Sequence, residues 1–490
     1  MTLSDTRAPE PPLQVASNKR WLILAVIALA QVMVVLDATI VNIALPSAQV
    51  DLQFTNDQRQ WLITGYALSF GSLLLIGGRV ADLFGRRLTF LAGVAGFALA
   101  SAVGGAAGSF EILVAARVGQ GVFAALLAPA ALSLLTTTFT DPKERAKAFG
   151  IFGAIAGGGG AIGLLLGGVL TEYLDWRWCM FVNLIFAGAA FLGGVALLDR
   201  STADHRPKLD LFGIATATAG MFALVYGLAN AETESWSHGL TWGGITTGVV
   251  LLGVFAWWQT KAESPLLPLR ILLHRNRGGA FLAIFILCAG MFVIFLFLTY
   301  FLQVNLQFGP VKSGVSFLPM IGTLMVAATL ATTVLLPRIG PRPLIAGGML
   351  IAGAGTGLLA MLDETSTYSS GVLPGLLTAG VGIGLTMAAS MNVGILGVAA
   401  EDSGAASAAI NAVQQVGGSI GTALFSSVAA GAVTTAMMEG KAPASAAIAG
   451  YSAAFLGSAI LFAVGAVVAG LVLRPGVPEE LGTAGPVVHM

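Results

Sequence analysis

The sequence predicts an all-α integral membrane protein with fourteen transmembrane helices, and three observations predict it. Of the 490 residues 56% are hydrophobic and only 10% charged, with a mean hydropathy of +0.87, far outside the range of soluble domains. Between the charged clusters lie uncharged apolar runs of about 18–25 residues, each long enough to cross a hydrocarbon core about 30 Å thick. The runs are continuous rather than alternating, which excludes a membrane β-barrel.

The runs place helices at about 21–45, 60–78, 88–108, 112–135, 147–170, 179–198, 211–229, 241–259, 278–302, 313–336, 343–362, 371–393, 404–430 and 451–473. Topology follows from the cations. With the N-terminus inside, nineteen Lys and Arg fall on inner segments, while only Arg59, Arg177, Lys312 and Lys441 fall on outer loops and Arg117 lies within a helix. That asymmetry satisfies the positive-inside rule and puts both termini in the cytoplasm. One inner loop, "GVAAEDSGAAS", breaks the pattern with Glu401, Asp402 and no cation. The first apolar run is too long for a signal peptide and lacks a small-residue cleavage site, so it reads as a retained span. The composition implies a multi-pass protein of a bacterial inner or plasma membrane.

Five segments follow: a cytoplasmic tail (1–20), a six-helix bundle (21–198), a linker with two inserted helices (199–277), a second six-helix bundle (278–473) and a cytoplasmic tail (474–490). The charged stretch 261–277 reads as an inner-surface segment with room for a short amphipathic helix. An internal repeat supports the division. "FGRRLTFLAG" (84–93) recurs as "IGPRPLIAGG" (339–348), matching Gly85, Arg87 and Gly93 to Gly340, Arg342 and Gly348. Repeats of this kind mark transporters that rock one half against the other around a midplane site.

Several function classes are excluded. A net charge of zero with no basic domain argues against nucleic acid as a partner. Cys179 and Cys288 fall within membrane helices and fit neither a disulfide framework nor a metal site. No Ser/His or Cys/His arrangement and no metal-ligand spacing occurs, so neither catalytic residues nor a metal are expected, and no enzyme activity. In "GIFGAIAGGGGAIGLLLGGVL" (150–170), Gly158, Gly160 and Gly163 spell G-x-G-x-x-G. No strand precedes the run and it is membrane-length, so it is no dinucleotide site. Gly153 with Gly157, and Gly159, Gly163 and Gly167, instead form small-residue ridges on which another helix can lie closely.

Two charges stand inside the apolar helices. Asp37 lies about 13 Å, and Arg117 about 8 Å, from the outer ends of the first and fourth helices at 1.5 Å per residue. A charge in lipid costs roughly 3 kcal/mol, so each is expected to face a cavity or the other. One reading is a static ion pair that fixes the two helices, but a buried pair is a poor device for stability alone. The other is a proton site: desolvation favours the neutral acid, the nearby guanidinium favours the carboxylate, and a change in their separation switches proton affinity. No other carboxylate is unambiguously at mid-membrane, so Asp37 is the leading proton carrier. Gln120, Gly121 and Ala124 share the arginine's face, as a cavity-lining or packed surface requires. The position repeating Arg117 in the second half is Val372, so the coupling charge is confined to the first half.

In "GRVADLFGRR" (78–87), Gly78 and Gly85 allow a tight turn and close helix approach, Asp82 is placed to cap a helix, and Arg86 and Arg87 supply cations. A topogenic loop is the plain alternative. The spacing resembles the signature between helices two and three of the major facilitator superfamily. "LDATIVNIALP" (36–46), "ILVAARVGQGVFAAL" (112–126), "DWRWCMFVNL" (175–184), "YFLQVNLQFGPVKSGVSFLP" (300–319) and "INAVQQVGGSIGTAL" (410–424) resemble segments of its fourteen-helix drug:proton antiporter branch. The resemblance spans residues 20–475. It implies a major facilitator fold of six plus two plus six helices. It also implies proton coupling at Asp37 and Arg117, and a conformational switch at Gly78, Asp82, Gly85, Arg86 and Arg87. The fifth helix resembles the branch's antiport motif at Gly163, Gly167 and Gly168, with Leu164 where that motif has a proline. The kink that proline imposes is thereby removed. Ile185 likewise replaces a frequent proline.

The polar trio Asn411, Gln414 and Gln415 reads either as cavity lining or as packing glue. Tyr300 and Gln303 read as gate or pocket residues, with interfacial anchoring as the plain alternative for Tyr300. The expected function is export of lipophilic drugs or antibiotics in exchange for protons by a monomer needing no cofactor beyond the proton gradient. The alternative is a narrow exporter of one endogenous metabolite, or a proton-coupled uptake symporter of the same fold.

Overall fold

The computed structural model describes residues 17–59, 61–139, 141–199, 210–233, 238–262, 265–266, 269–398 and 403–477. Most of both tails, most of the linker stretch before residue 210, and Glu401 and Asp402 lie outside the described residues. In hydrocarbon a backbone must satisfy its own polar groups, and helices do so within one segment. The helical rods are α1 (Ser17–Leu52), α2 (Trp61–Phe84), α3 (Arg86–Gly105), α4 (Phe110–Thr138), α5 (Pro142–Tyr173), α6 (Trp178–Leu197) and α7 (Leu211–Thr233). They continue with α8 (Gly239–Gln259), α9 (Arg275–Asn305), α10 (Pro310–Ile339), α11 (Pro341–Leu359), α12 (Tyr368–Ile395), α13 (Ser403–Met438) and α14 (Pro443–Val472). Among the described residues twelve of these are long and apolar enough to cross a membrane; α2 and α5 carry shorter apolar stretches.

Several rods outrun the apolar runs that announce them. α1 continues through Pro46 to Leu52, and α13 reaches Met438 rather than stopping near 430. A proline removes one helical hydrogen bond without ending a helix whose flanks are packed. Among the described residues of the 261–277 segment, a short helix, Leu269–Leu273, precedes the start of α9 at Arg275.

α1 lies against α5 and α6, α4 against α2 and α3, and α3 against α6. In the second half α11 lies against α12 and α14, α10 against α12, and α9 against α13, α14 and α12. α7 and α8 pair closely, and α7 packs on both α2 and α13. The halves meet where α2 meets α13 and where α5 meets α10.

Glycine lets the backbones approach. A methyl at Gly163 would fall 2.0 Å from Thr39 Oγ1 and one at Gly167 2.8 Å from Ile40, so α5 rests on α1 along the predicted ridge. In the second half Gly380 and Gly384 meet the Met320 and Leu324 carbonyls, and Gly417 and Gly421 those of Phe285 and Ala289. The fifth helix is continuous through Leu164, a fully buried side chain whose carbonyl faces Gly314 of α10. Ile185 points outward from α6.

Candidate functional site

α1 delivers Asp37 and α4 delivers Arg117 to one buried point. Arg117 Nη1 donates to Asp37 Oδ2 at 2.5 Å, with the side chains 2% and 0% exposed. The guanidinium is held on three further sides. Its Nε donates to the Leu62 carbonyl at 3.0 Å, Nη1 donates to Gln120 Oε1 at 2.7 Å, and its plane lies 4.4 Å from the Tyr66 ring centre. Gln120, one turn along α4, donates Nε2 to Asp37 Oδ1 at 2.8 Å and to Ser101 Oγ at 2.8 Å. Asn183 of α6 donates Nδ2 to Asp37 Oδ1 at 2.7 Å.

Side chains thus converge from α1, α3, α4 and α6, with Arg117, Gln120 and Asn183 donating to Asp37, and every side chain among Asp37, Ser101, Gln120 and Asn183 is buried. Charge-assisted bonds of this kind are the strong ones. Asp37 accepts on both oxygens and the pair is neutral, which is how a charge is tolerated away from water. Beside Arg117, Val41, Leu62, Trp176 and Met180 enclose about 10 Å³, the size of one water.

Gln120 was expected to line a cavity; here it is locked into the network, and its face is packed. Gly121 sits against the Tyr66 carbonyl and Ser69 of α2. Sequence reasoning missed Ser101, Tyr66 and Asn183. The available signal was a lone amide within the apolar run of α6, inside the stretch "DWRWCMFVNL".

Tyr300 and Gln303 lie elsewhere, in the seam between the halves at the predicted outer end. Tyr300 is 4% exposed and donates to Gln49 Oε1 at 3.1 Å, with the Arg59 guanidinium 3.9 Å from its ring centre. It is not an interfacial anchor. Gln303, on the π-helical turn Phe301–Asn305, donates to the Ile43 carbonyl at 3.2 Å, one turn before Pro46. Glu172 of α5 accepts from the Val311 amide at 2.9 Å, and Gly168 abuts Pro310 and Val311. Three hydrogen bonds therefore tie α1 and α5 to α9 and α10 at this end.

At the opposite end Gly85 takes φ +92° in the turn between α2 and α3. Arg87 donates to the Val195 carbonyl of α6 at 2.9 Å, and Arg79 to the Pro265 carbonyl at 3.0 Å. Close helix approach falls on Gly77, where a methyl would meet the Ala125 carbonyl at 1.8 Å; at Gly78 it would meet Pro129 at an ordinary 3.8 Å. Arg86 is partly buried. The side chains of Asp82 and Gln415, and the surroundings of Gly153 and Gly157, lie outside the described residues. Gln414 Nε2 is 3.8 Å from Met387 Sδ, and Asn411 and Gln414 are both partly buried. Among the described residues no group of three His, Cys, Asp or Glu is placed to hold a metal, and Cys179 and Cys288 are free.

An all-helical membrane fold of two packed halves, with a neutralised charge pair buried in one, defines a class of membrane transporter rather than an enzyme. Residues 27–422 match the Major Facilitator Superfamily, and the chain belongs to that family. It is 47% identical to the puromycin resistance protein pur8 of Streptomyces alboniger, over 95% of this chain and 94% of that one. It is 35% identical to the cephamycin export protein CmcT of Amycolatopsis lactamdurans, over 81% and 82% of the two chains. Among solved structures, a bacterial homologue of the human lysosomal transporter Spinster, inward-facing and unoccupied, matches with a TM-score of 0.65 at 16% identity, covering 94% of this chain and 98% of that one. The chain is a multi-pass transporter of the cell membrane.

Proposed function

We propose that this protein exports lipophilic drugs or antibiotics in exchange for protons by alternating access, with Asp37 as the proton carrier and Arg117 as its charge partner. The observation that carries the proposal is the fully buried contact of the mid-helix carboxylate of Asp37 with Arg117. Protonation of Asp37 would leave the guanidinium uncompensated in a dry site, which disfavours the packed arrangement and favours one that admits water or substrate. Release of the proton restores the neutral pair. The names of the relatives, resistance and export proteins for puromycin and cephamycin, support the direction and the substrate class.

In this reading the chain crosses the membrane fourteen times with both termini in the cytoplasm, an orientation that the cation asymmetry supports. The halves 21–198 and 278–473 rock about the site, and the seam of Gln49, Tyr300, Gln303 and Glu172 is the closed outer gate. The 78–87 turn is the switch at the inner end. The protein works as a monomer, with the proton gradient as its only energy source.

The test is uptake of lipophilic cationic, neutral and anionic compounds into inverted vesicles, with and without an imposed pH gradient, for wild type and Asp37→Asn. Gradient-dependent uptake that disappears in the variant is expected. Full coupling retained in Asp37→Asn sinks the proposal, and a well-inserted wild type that takes up nothing points to a narrow metabolite exporter or an importer.

A further inference from the structure

Asn183 presents a contrast between its two side-chain atoms. Nδ2 donates to Asp37 Oδ1 at 2.7 Å and lies 3.3 Å from Ser101 Oγ. Oδ1, equally buried, has no hydrogen-bond partner. A buried carbonyl left unpaired is a cost that native structures rarely carry without a reason.

The chemistry of Asp37 supplies a reason, given its reading as the proton carrier. Oδ2 faces a guanidinium, which has donors and no acceptor, so an added proton belongs on Oδ1. Once protonated, Oδ1 is itself a donor and confronts the Asn183 amino group donor to donor. Gln120 offers no relief, because its Oε1 is taken by Arg117 Nη1 at 2.7 Å. Turning the Asn183 amide by a half-rotation exchanges its two ends. Its carbonyl then stands where Nδ2 was, accepting from the Asp37 acid and within reach of the Ser101 hydroxyl.

We propose that Asn183 is a two-state positioning residue for the proton site. It donates to the Asp37 carboxylate in the ionised state and accepts from the Asp37 acid in the protonated state. The balance is simple: Asp37 goes from −1 to neutral, Arg117 keeps its charge, and the pair goes from neutral to +1 while Asn183 stays neutral. The amide thereby keeps a hydrogen bond to Asp37 in both protonation states. Among the described residues the charged or titratable groups facing Asp37 are Arg117 from α4, Tyr66 from α2 beneath the guanidinium, and Cys179 from α6. α3 contributes the neutral Ser101, and the described part of α5 nearest α1 contributes Gly163 and Gly167.

The experiment is a pH titration of the reconstituted protein, with no substrate added, followed through the infrared band of protonated carboxyls. The Asp37 component is identified by its loss in Asp37→Asn. Asn183→Leu, close in shape and without polar atoms, should move that band to higher wavenumber, as for an acid whose O–H has lost its acceptor. Asn183→Asp keeps the acceptor and places a second carboxylate against Oδ1, so it should raise the midpoint by about one pH unit or more. Unchanged band position and midpoint in both variants would overturn the proposal. Should Asn183→Leu fail to fold, an unchanged midpoint in Asn183→Asp overturns it alone. A band that survives Asp37→Asn removes the proton-carrier reading and this one with it. A band that vanishes there but ignores both Asn183 changes removes only this one.

Discussion

Gly85 and Gly340, 255 positions apart, both hold positive φ, +92° and +77°, and each stands immediately before a helix, α3 or α11. The weak sequence repeat is therefore a structural one. It extends inward: Gly93 packs on Leu127, and Gly348 packs beside Gly382, positions related by the same offset. L-residues rarely adopt this backbone, so Gly85→Ala should destabilise the folded protein by about 1–3 kcal/mol. Gly340→Ala should cost more, because its methyl would also meet the Gly476 carbonyl at 2.3 Å. Thermal unfolding in detergent checks both, and a wild-type midpoint for Gly340→Ala contradicts the argument.

Arg117→Ala should destabilise by about 3–5 kcal/mol, because it strands the Asp37 carboxylate in a sealed site. Arg117→Lys keeps the charge but loses the fork that reaches Leu62, Gln120 and Asp37 together. It should retain part of both stability and proton-coupled uptake. Wild-type behaviour in both variants would make the arginine a passenger.

Tyr300→Phe with Gln303→Ala removes two hydrogen bonds across the seam, each worth about 0.5–1.5 kcal/mol. The population open at the Gln49 end should rise roughly ten-fold or more. Spin labels at Val50 and Met438, exposed near the C-terminal ends of α1 and α13, read this as a longer-distance component. An unaltered distance distribution would mean the seam is held by apolar packing alone.

Gly163→Ala should destabilise by about 1–3 kcal/mol through overpacking against Thr39. Gly160→Ala, whose methyl would meet Thr39 at an ordinary 3.5 Å, should be near neutral. The two are three residues apart on one helix. Equal effects, measured by unfolding and by the fraction correctly inserted, would show that propensity and not contact decides.

The rods were legible because membrane insertion is written in composition: lipid demands long apolar helices. Their ends were less legible, as α1 beyond Pro46 and α13 beyond 430 show, since packed flanks let a helix continue where the apolar run stops. Asp37 and Arg117 announced themselves by rarity. Asn183 and Ser101 did not, for a neutral amide or hydroxyl is common as packing glue and only geometry shows what it touches. Gly78 was singled out where Gly77 makes the close contact, a one-residue difference that rotates the contact about 100° around a helix.

By itself, then, the sequence determined a polytopic helical transporter with one charge pair in its first half, because the cost of placing a charge or a free amide in lipid leaves a local mark on the chain. Tertiary structure decided that this pair is sealed by Gln120, Asn183 and Ser101, and that Tyr300 and Gln303 tie the two halves together. Those facts depend on hydrogen bonds of about 3 Å between residues 80 to 260 positions apart, and no local pattern encodes which distant partners a fold will bring together.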